Sequence, residues 1–175
     1  MMQFSSKSIK KKQRIGELLV EHGLINTNQL KEALKRQAQA GGHIGSVLVE
    51  MGFITLDNLL GFLSQQLGIP SVNLSKIEIS PETLKIMPVE KIKAMKVLPI
   101  SIDEGSVTLA MVNPRDMLSI RDIEFSLGRK VNPVVVPASQ MEAAIQSLIL
   151  NPERGLTGEI IEKEAQKAET KKHLL

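Results

Sequence analysis

Residues 14–37, RIGELLVEHGLINTNQLKEALKRQ, recur in related form as residues 43–66, HIGSVLVEMGFITLDNLLGFLSQQ. Ten of the 24 aligned positions are identical, whereas unrelated segments of ordinary composition should match at about one or two. Such an internal repeat indicates two copies of one supersecondary unit. Helical spacing alone would preserve the recurring Leu and Ile positions, but it would not require the recurring glycines or the terminal glutamine. The identical pairs are Ile15/Ile44, Gly16/Gly45, Leu19/Leu48, Val20/Val49, Glu21/Glu50, Gly23/Gly52, Ile25/Ile54, Leu30/Leu59, Leu34/Leu63 and Gln37/Gln66.

Each copy of the repeat predicts a helix, a turn and a second helix. The apolar residues before Gly23 and Gly52 fit a short helix that ends at a left-handed glycine. Asn26 and Thr55 are good N-caps for the second helices, whose leucines follow at helical spacing. The glycine pair at residues 41–42 breaks the helix between the two copies.

Beyond residue 70 the pattern changes to alternating strands and helices. The turn-forming segment 103–106 joins two strand-like runs and predicts an antiparallel hairpin. The fold class is therefore α+β, with an N-terminal all-helical lobe of two helix-turn-helix repeats at residues 14–70 and a small mixed α/β lobe at residues 71–150. The predicted elements of the second lobe are strands at 71–74, 97–102, 107–112 and 131–136, a helix from the Ser80 cap through residue 87, a helix at 116–127 stopped by Gly128, and a helix to residue 150 opened by a capping box from Ser139 to Glu142.

The two ends of the chain differ in charge pattern from the part between them. Residues 1–13 contain four lysines and predict a basic flexible arm, for which a solvated terminus is favoured over contact with anionic lipid or phosphate. Residues 151–175 carry five acidic and five basic side chains and predict a charged helical tail or linker.

Composition argues against several classes of function. The absence of cysteine excludes disulfides and thiolate metal sites, and three scattered histidines make a metal-ligand cluster improbable. Residues 14–150 carry 13 basic and 14 acidic side chains, so no basic stripe for DNA or RNA is expected. Four Phe without Tyr or Trp also leave little for stacking of bases. No cofactor is expected.

Hydropathy indicates a protein that does not cross a membrane. No apolar run approaches the roughly 20 residues that a spanning helix needs. The polar, basic N-terminus has no apolar signal-peptide core behind it. We therefore expect a cytoplasmic location.

The tandem motif closely resembles the MshEN-type domain found at the N-terminus of type II secretion and type IV pilus assembly ATPases. The resemblance rests on residues 14–20, 23–25 and 30–37 and on their repetition after a five-residue spacer. It continues through residues 97–100, 110–114 and 128–131, and so covers residues 14 to about 150. Such domains bind the bacterial second messenger cyclic di-GMP, and the resemblance implies that ligand here.

The resemblance also implies a set of contact residues. In the family pattern these are the Arg at the head of the motif, the apolar residue and Gly that follow it, and the closing Gln. Carried over to this chain, they are Arg14, Ile15, Gly16 and Gln37 in the first copy and His43, Ile44, Gly45 and Gln66 in the second. Because the ligand is a two-fold-symmetric ring with two guanines and two phosphates, each copy would hold one half.

The residue types suit this ligand, although simpler interpretations stay open. Arginine stacks on a purine, bridges a phosphate or binds guanine as a fork, and a glutamine amide can pair with a base edge. His43 stands where the family has Arg, lacks its fixed charge and fork geometry, and predicts a weaker half-site. The recurring glycines either allow close approach of the ligand to the backbone or are turn residues. Four further apolar residues either cover the base faces or belong to the core, with the core favoured: Leu18, Leu19, Val47 and Leu48.

The sequence predicts a binding protein and not an enzyme. The family ATPases carry a GxxxxGK[ST] phosphate-binding loop, and no such run occurs in this chain. The leading hypothesis is a cyclic di-GMP-binding sensor domain of a secretion or type IV pilus system, whose candidate partners are a secretion or pilus ATPase and an inner-membrane platform protein. The alternative is a module that docks on an inner-membrane platform protein without binding nucleotide. A winged-helix nucleic-acid binder is disfavoured by the near-neutral core.

Overall fold

The computed structural model describes residues 14–173 and divides them into two compact units, residues 14–54 and residues 55–173. The predicted basic arm, residues 1–13, lies outside the described residues. The predicted α+β fold class is confirmed: the first unit is helical, and the second combines helices with a small three-stranded sheet.

Three helices that contact one another pairwise form the first unit. They are α1 (Ile15–Glu21), α2 (Thr27–Ala40) and α3 (Ile44–Glu50). Leu19 of α1, Ala33 of α2 and Leu48 of α3 are fully buried. Each helix therefore contributes an apolar side chain to the interior of this unit.

Helices α1 and α3 end in the same way. The N–H of Leu24 donates to the carbonyl of Leu19 at 3.0 Å, and the equivalent bond of the second copy has the same length. Gly23 and Gly52 lie between, with φ of +70° and +71°. This bond across a left-handed glycine is a Schellman motif, so the predicted glycine ends are confirmed in both copies.

The predicted starts of the second helix in each copy are also confirmed. The side chain of Asn26 accepts the N–H three residues on at 2.9 Å, and Thr55 does the same at 3.2 Å. Helix α2 ends before Gly41 and Gly42, whose φ angles are +75° and +91°. The repeat therefore encodes both ends of its helices through local hydrogen bonds and backbone conformation.

The second unit follows from Thr55. Its helices are α4 (Leu56–Leu67), α5 (Pro81–Leu84), α6 (Val89–Met95), α7 (Met117–Leu127), α8 (Ala138–Leu150) and α9 (Gly158–His173), its strands are β1 (Val97–Asp103), β2 (Ser106–Met111) and β3 (Lys130–Val135), and a 3-10 turn covers Leu74–Lys76. One hydrophobic cluster fills this unit, with Leu98, Leu109, Ile123, Met141 and Ile161 among its buried members.

Strand β2 lies at the centre of the sheet, in the order β1-β2-β3. It pairs antiparallel with β1, with Val97 opposite Met111 and Asp103 opposite Ser106, which confirms the predicted hairpin. It pairs parallel with β3, with Ser106 opposite Lys130. Helix α7 makes the crossover that parallel neighbours require.

The predicted domain boundary at residue 70 differs from the division that the structure shows after Ile54. Helix α4 is grouped with the second unit, where it contacts β3. The second motif is thereby divided, with α3 in the first unit and α4 in the second. Amphipathic spacing predicts that one face of a helix is buried but not which neighbour covers that face.

The segment predicted as a strand at residues 71–74 forms only one bridge, between Ser71 and Val135, before the 3-10 turn. The prediction was wrong because the side chain of Asn73 accepts the N–H of Ser75 at 3.0 Å and bends the chain into that turn. Buried Gln140 of α8 holds the turn in place. Its Oε1 accepts the N–H of Leu74 at 2.9 Å, and its Nε2 donates to Asn73 Oδ1 at 2.7 Å.

Two predicted helix bounds in this unit were also wrong. Helix α5 begins after the Ser80 cap as predicted but ends at Leu84. Pro88 has no N–H to donate to the carbonyl of Leu84, and it is the N-cap of α6 instead. Helix α8 begins at Ala138 after Pro137, so Ser139 lies inside the first turn and not at the N-cap. A proline with a preset φ starts the helix earlier than the capping-box pattern indicates.

The start of α9 packs tightly on the rest of the second unit. Leu156 forms an antiparallel bridge with Ile79, with N···O distances of 2.8 Å and 2.9 Å. Leu156 and Ile161 are 2% and 1% exposed. A Cβ added to Gly158 would overlap the backbone carbonyl of Ser75. The charged tail predicted from sequence is therefore a helix whose first turn is docked.

Candidate ligand-binding site

The heads of the two motifs adopt the same local conformation. Arg14 precedes α1 with φ −74° and ψ 146°, and His43 precedes α3 with φ −91° and ψ 136°. Both residues are exposed. The N–H of Arg14 donates to the Glu17 carboxylate at 3.2 Å, while the second copy has Ser46 at that position. Two extended N-cap positions thus present a guanidinium and an imidazole at equivalent places in the motifs.

The glycines that follow lie inside helices, so their interpretation as turn residues was wrong. Gly16 and Gly45 are the second residues of α1 and α3, and both are buried, whereas Ile15 and Ile44 before them are half-buried. A Cβ added to Gly16 would lie 2.5 Å from Leu30 Cδ1. Because Gly16 has no side chain, Leu30 of α2 can approach the backbone of α1.

The four further apolar candidates divide by burial. Leu19 and Leu48 are fully buried and Val47 is 4% exposed, whereas Leu18 is half-buried. The three buried side chains belong to the interior of the first unit, which favours the core interpretation for them. Leu18 keeps accessible surface.

The two closing glutamines lie in different units. Gln37, near the end of α2, donates from Nε2 to the carbonyl of Gly42 at 2.8 Å and so fastens the glycine link that leads to His43. Gln66 lies in α4, and its backbone carbonyl accepts a hydrogen bond from Arg115 at 3.3 Å. The only sequence signal for this role of Gln37 is that a glutamine recurs at the end of each copy.

Leu30 was missed as a member of this site. Its side chain fills the space that Gly16 leaves, which sets the approach of α2 to α1. The signal was present, because Leu30 and Gly16 both recur in the second copy, as Leu59 and Gly45. Recurrence marked the two positions but not their contact.

Shifted pKa values in the second unit have local structural causes. Hydrogen bonds from the hydroxyl and N–H of Ser119 lower the pKa of the Asp116 carboxyl, which caps α7. A hydrogen bond to Glu153 raises the pKa of Lys85. Lys85 is exposed and Asp116 is half-buried, so the first pair caps a helix and the second is a surface ion pair.

Residues 14–173 hold no group of three His, Asp or Glu side chains placed to bind a metal ion. Within the same range, no helix is both long and apolar enough to cross a bilayer.

Comparison with known proteins relates this fold to a defined family. The model of the MshEN domain matches residues 67–155, just over half of the chain. The type IV pilus assembly ATPase PilB of Myxococcus xanthus is 34% identical over 133 residues, and PilB of Thermus thermophilus is 36% identical over 122 residues. These matches cover 76% and 69% of this chain but 24% and 14% of the relatives, so the chain spans a quarter or less of their length.

A solved structure, that of MshE with cdg (cyclic di-GMP), is also similar. It aligns with a TM-score of 0.55 and 28% identity, covering 77% of this chain and 98% of the other.

Proposed function

Because the chain belongs to the MshEN domain family, we propose that it is a cyclic di-GMP-binding sensor domain of a secretion or type IV pilus system. The proposal assigns one half of the ligand to each 24-residue motif. Side chains of both motifs contact the ligand in this proposal, and the domain acts as a regulator and not as a catalyst.

The equivalence of the two motif heads carries this proposal. Arg14 and His43 share an extended N-cap conformation, and the helices that follow them end in matching Schellman motifs. A ligand with two identical halves is suited to two copies of one local arrangement. The similarity to MshE with cdg, over nearly all of that chain, supports the choice of ligand.

The first copy is proposed to contribute most of the binding free energy. The exposed Arg14 can stack on a guanine, bridge a phosphate, or donate a fork of hydrogen bonds to guanine O6 and N7. His43 can stack on a base and form one hydrogen bond, so its half of the ligand is held less firmly. Half-buried Ile15 and Ile44 offer apolar surface beside these heads. Gly16 lets Leu30 of α2 approach the backbone of α1 behind the first motif head.

The remaining candidates have different proposed roles. Gln37 holds the link before His43 and keeps its amide oxygen available for a base edge, because its hydrogen bond to the carbonyl of Gly42 uses Nε2. Buried Leu19, Val47 and Leu48 support the helices from inside. The role of Gln66 stays a prediction from the sequence.

A regulatory role is proposed in place of catalysis. The chain contains no GxxxxGK[ST] run, which nucleotide-hydrolysing relatives of this class need to hold phosphates. The partner proposed for the domain is a secretion or pilus ATPase, because the similar curated proteins are pilus assembly ATPases. Binding of the messenger would then alter how the domain engages that partner.

Titration calorimetry with three nucleotides tests the ligand. We expect cyclic di-GMP to bind, and GTP and cyclic di-AMP to bind much more weakly, because a site built for guanine leaves polar groups unpaired against adenine. Equal binding of all three nucleotides would contradict the assignment. If a folded chain does not bind cyclic di-GMP, the assignment is also contradicted. That result would favour the alternative function, in which the chain docks on an inner-membrane platform protein.

Four variants test the roles of the motif heads. Arg14→Ala should weaken cyclic di-GMP binding by roughly 10- to 100-fold, since a charge-assisted hydrogen-bonded contact contributes about 1.5–3 kcal/mol. His43→Ala should weaken it less, and His43→Arg should strengthen it. Lys35→Ala, an exposed change on α2, is the matched control and should bind as the parent does. Unchanged affinity of Arg14→Ala would refute the role of this residue.

A further inference from the structure

Helix α7 presents two large apolar side chains to solvent on one face. Phe125 is 91% exposed and Leu118 is 81% exposed, and they are seven residues apart, two turns along the same face. The opposite face of the helix is packed in the core, where Ile120 and Ile123 are 5% and 0% exposed. A single exposed apolar residue is ordinary, but a Phe and a Leu aligned on one helix face mark a contact surface.

The residues between them give this face a self-complementary pattern. Leu118, Arg121, Asp122 and Phe125 follow one another at i, i+3, i+4 and i+7, and together they form the α7 stripe. The stripe reads apolar, cationic, anionic, apolar. A second copy laid antiparallel about a two-fold axis through its middle sets Leu118 against Phe125 and Arg121 against Asp122. Each of these contacts occurs twice, as an isologous interface requires.

The charged pair at the centre of the stripe is available for this exchange. Arg121 is exposed and makes no hydrogen bond or ion pair with the residues that the structure describes. Asp122 lies 3.6 Å from Lys91 through Oδ2, and its side chain is still 65% exposed. A carboxylate accepts several donors, so Asp122 can keep Lys91 and also receive the guanidinium of a second copy.

We propose that the α7 stripe is a self-association surface through which two copies of this chain form an antiparallel, two-fold-symmetric helix pair. The complementarity of the stripe to itself selects a second copy as the occupant, because an anionic surface or an acidic partner would call for an excess of positive charge. The surface is small, since one 11-residue helix per copy supplies it. The interface falls below the roughly 1,200–2,000 Å² of a stable complex, so the dimer forms weakly, with a Kd on the order of 0.1 mM.

Sedimentation equilibrium of the full chain, recorded by interference optics from about 10 μM to about 1 mM, tests this surface. The parent should pass from monomer mass towards dimer mass across this range. Phe125→Ser should remain monomeric. Leu150→Ser, which alters a 56% exposed leucine at the end of α8, is the matched control and should associate as the parent does. Far-UV circular dichroism confirms that each variant is folded.

A charge swap makes the test specific to the antiparallel arrangement. Arg121→Asp and Asp122→Arg each place like charges across the axis twice, and each should weaken association by at least about 10-fold. The double variant R121D/D122R restores opposite charges across the axis and should recover most of the association, less the repulsion between the new arginine at 122 and Lys91 of the same chain. A parent that stays monomeric at 1 mM, a dimer that survives Phe125→Ser, or single swaps that the double swap does not repair would each overturn the proposal.

Discussion

Replacing Gly158 by alanine is expected to disturb the docking of α9 on the second unit. A Cβ at this position would overlap the backbone carbonyl oxygen of Ser75 and would lie 2.7 Å from its carbonyl carbon. The clash is with backbone atoms and not with the end of a flexible side chain. The turn that carries Ser75 is also held from behind by Gln140, whose Oε1 accepts the N–H of Leu74. The added methyl group therefore cannot be accommodated by a rotamer change.

The expected size of the effect follows from two opposing contributions. Alanine in place of glycine favours the helix by up to about 1 kcal/mol. Overpacking against a rigid neighbour costs about 1–3 kcal/mol, and lifting α9 away instead exposes Leu156 and Ile161 at a cost of about 1.5–3 kcal/mol each. We expect a net loss of about 2 kcal/mol in the free energy of unfolding, or roughly 4–8 °C in Tm.

Gly61→Ala provides the matched control for this change. Gly61 lies exposed inside α4, and a Cβ there would meet nothing within 4 Å. The same substitution should therefore raise the free energy of unfolding by about 1 kcal/mol. Urea and thermal unfolding should be followed by far-UV circular dichroism, because the chain has no Trp or Tyr. If Gly158→Ala unfolds at or above the parent temperature, the close contact between α9 and the 3-10 turn is wrong.

Two further predictions concern the helix ends. Gly23→Ala and Gly52→Ala should each lower the free energy of unfolding by about 1 kcal/mol, because alanine is strained at φ near +70°. No neighbour lies within 4 Å of the added methyl group, so backbone strain is the whole effect. Clearly unequal losses in thermal melts would contradict the equivalence of the two motifs. The pKa of Asp116 is lowered in the folded chain, so its stabilising contribution is present above about pH 4 and is lost as the pH falls through the lowered pKa. Asp116→Asn should therefore have a lower Tm than the parent near neutral pH, and the two Tm values should converge in strong acid. A difference in Tm that stays constant with pH would show that the cap does not titrate.

Several parts of the fold could be predicted because their causes are local. Positive φ at a glycine after a short helix is a property of a few consecutive residues, and both Gly23 and Gly52 behave accordingly. The caps at Asn26 and Thr55 are hydrogen bonds that span three residues. The hairpin of β1 and β2 follows from a turn segment between two strand-like runs. In each case the interacting groups are close in the chain.

The differences between the predicted and the observed fold have non-local or competing causes. Residues 71–74 have strand-like composition, but Gln140, 66 residues beyond Leu74, helps hold them in a turn. Division of the second motif between two units depends on the contact of α4 with β3. Neither feature leaves a periodic signal in the segment where it acts. The candidate site shows the same limit, because Leu18 and Val47 stand at the same position of the two motifs, yet Val47 is buried and Leu18 is half-buried.

The sequence by itself determined the repeat, the ends of its helices and the residue types at the motif heads, since these depend on short-range backbone conformation and hydrogen bonding. Only the tertiary structure decided that Gly16 is a packing position against Leu30, that Leu19 and Leu48 are buried, and that Leu118 and Phe125 of α7 are exposed. The physical reason is that burial is a property of pairs of surfaces. A chain encodes which faces are apolar, and only packing determines which of them are covered.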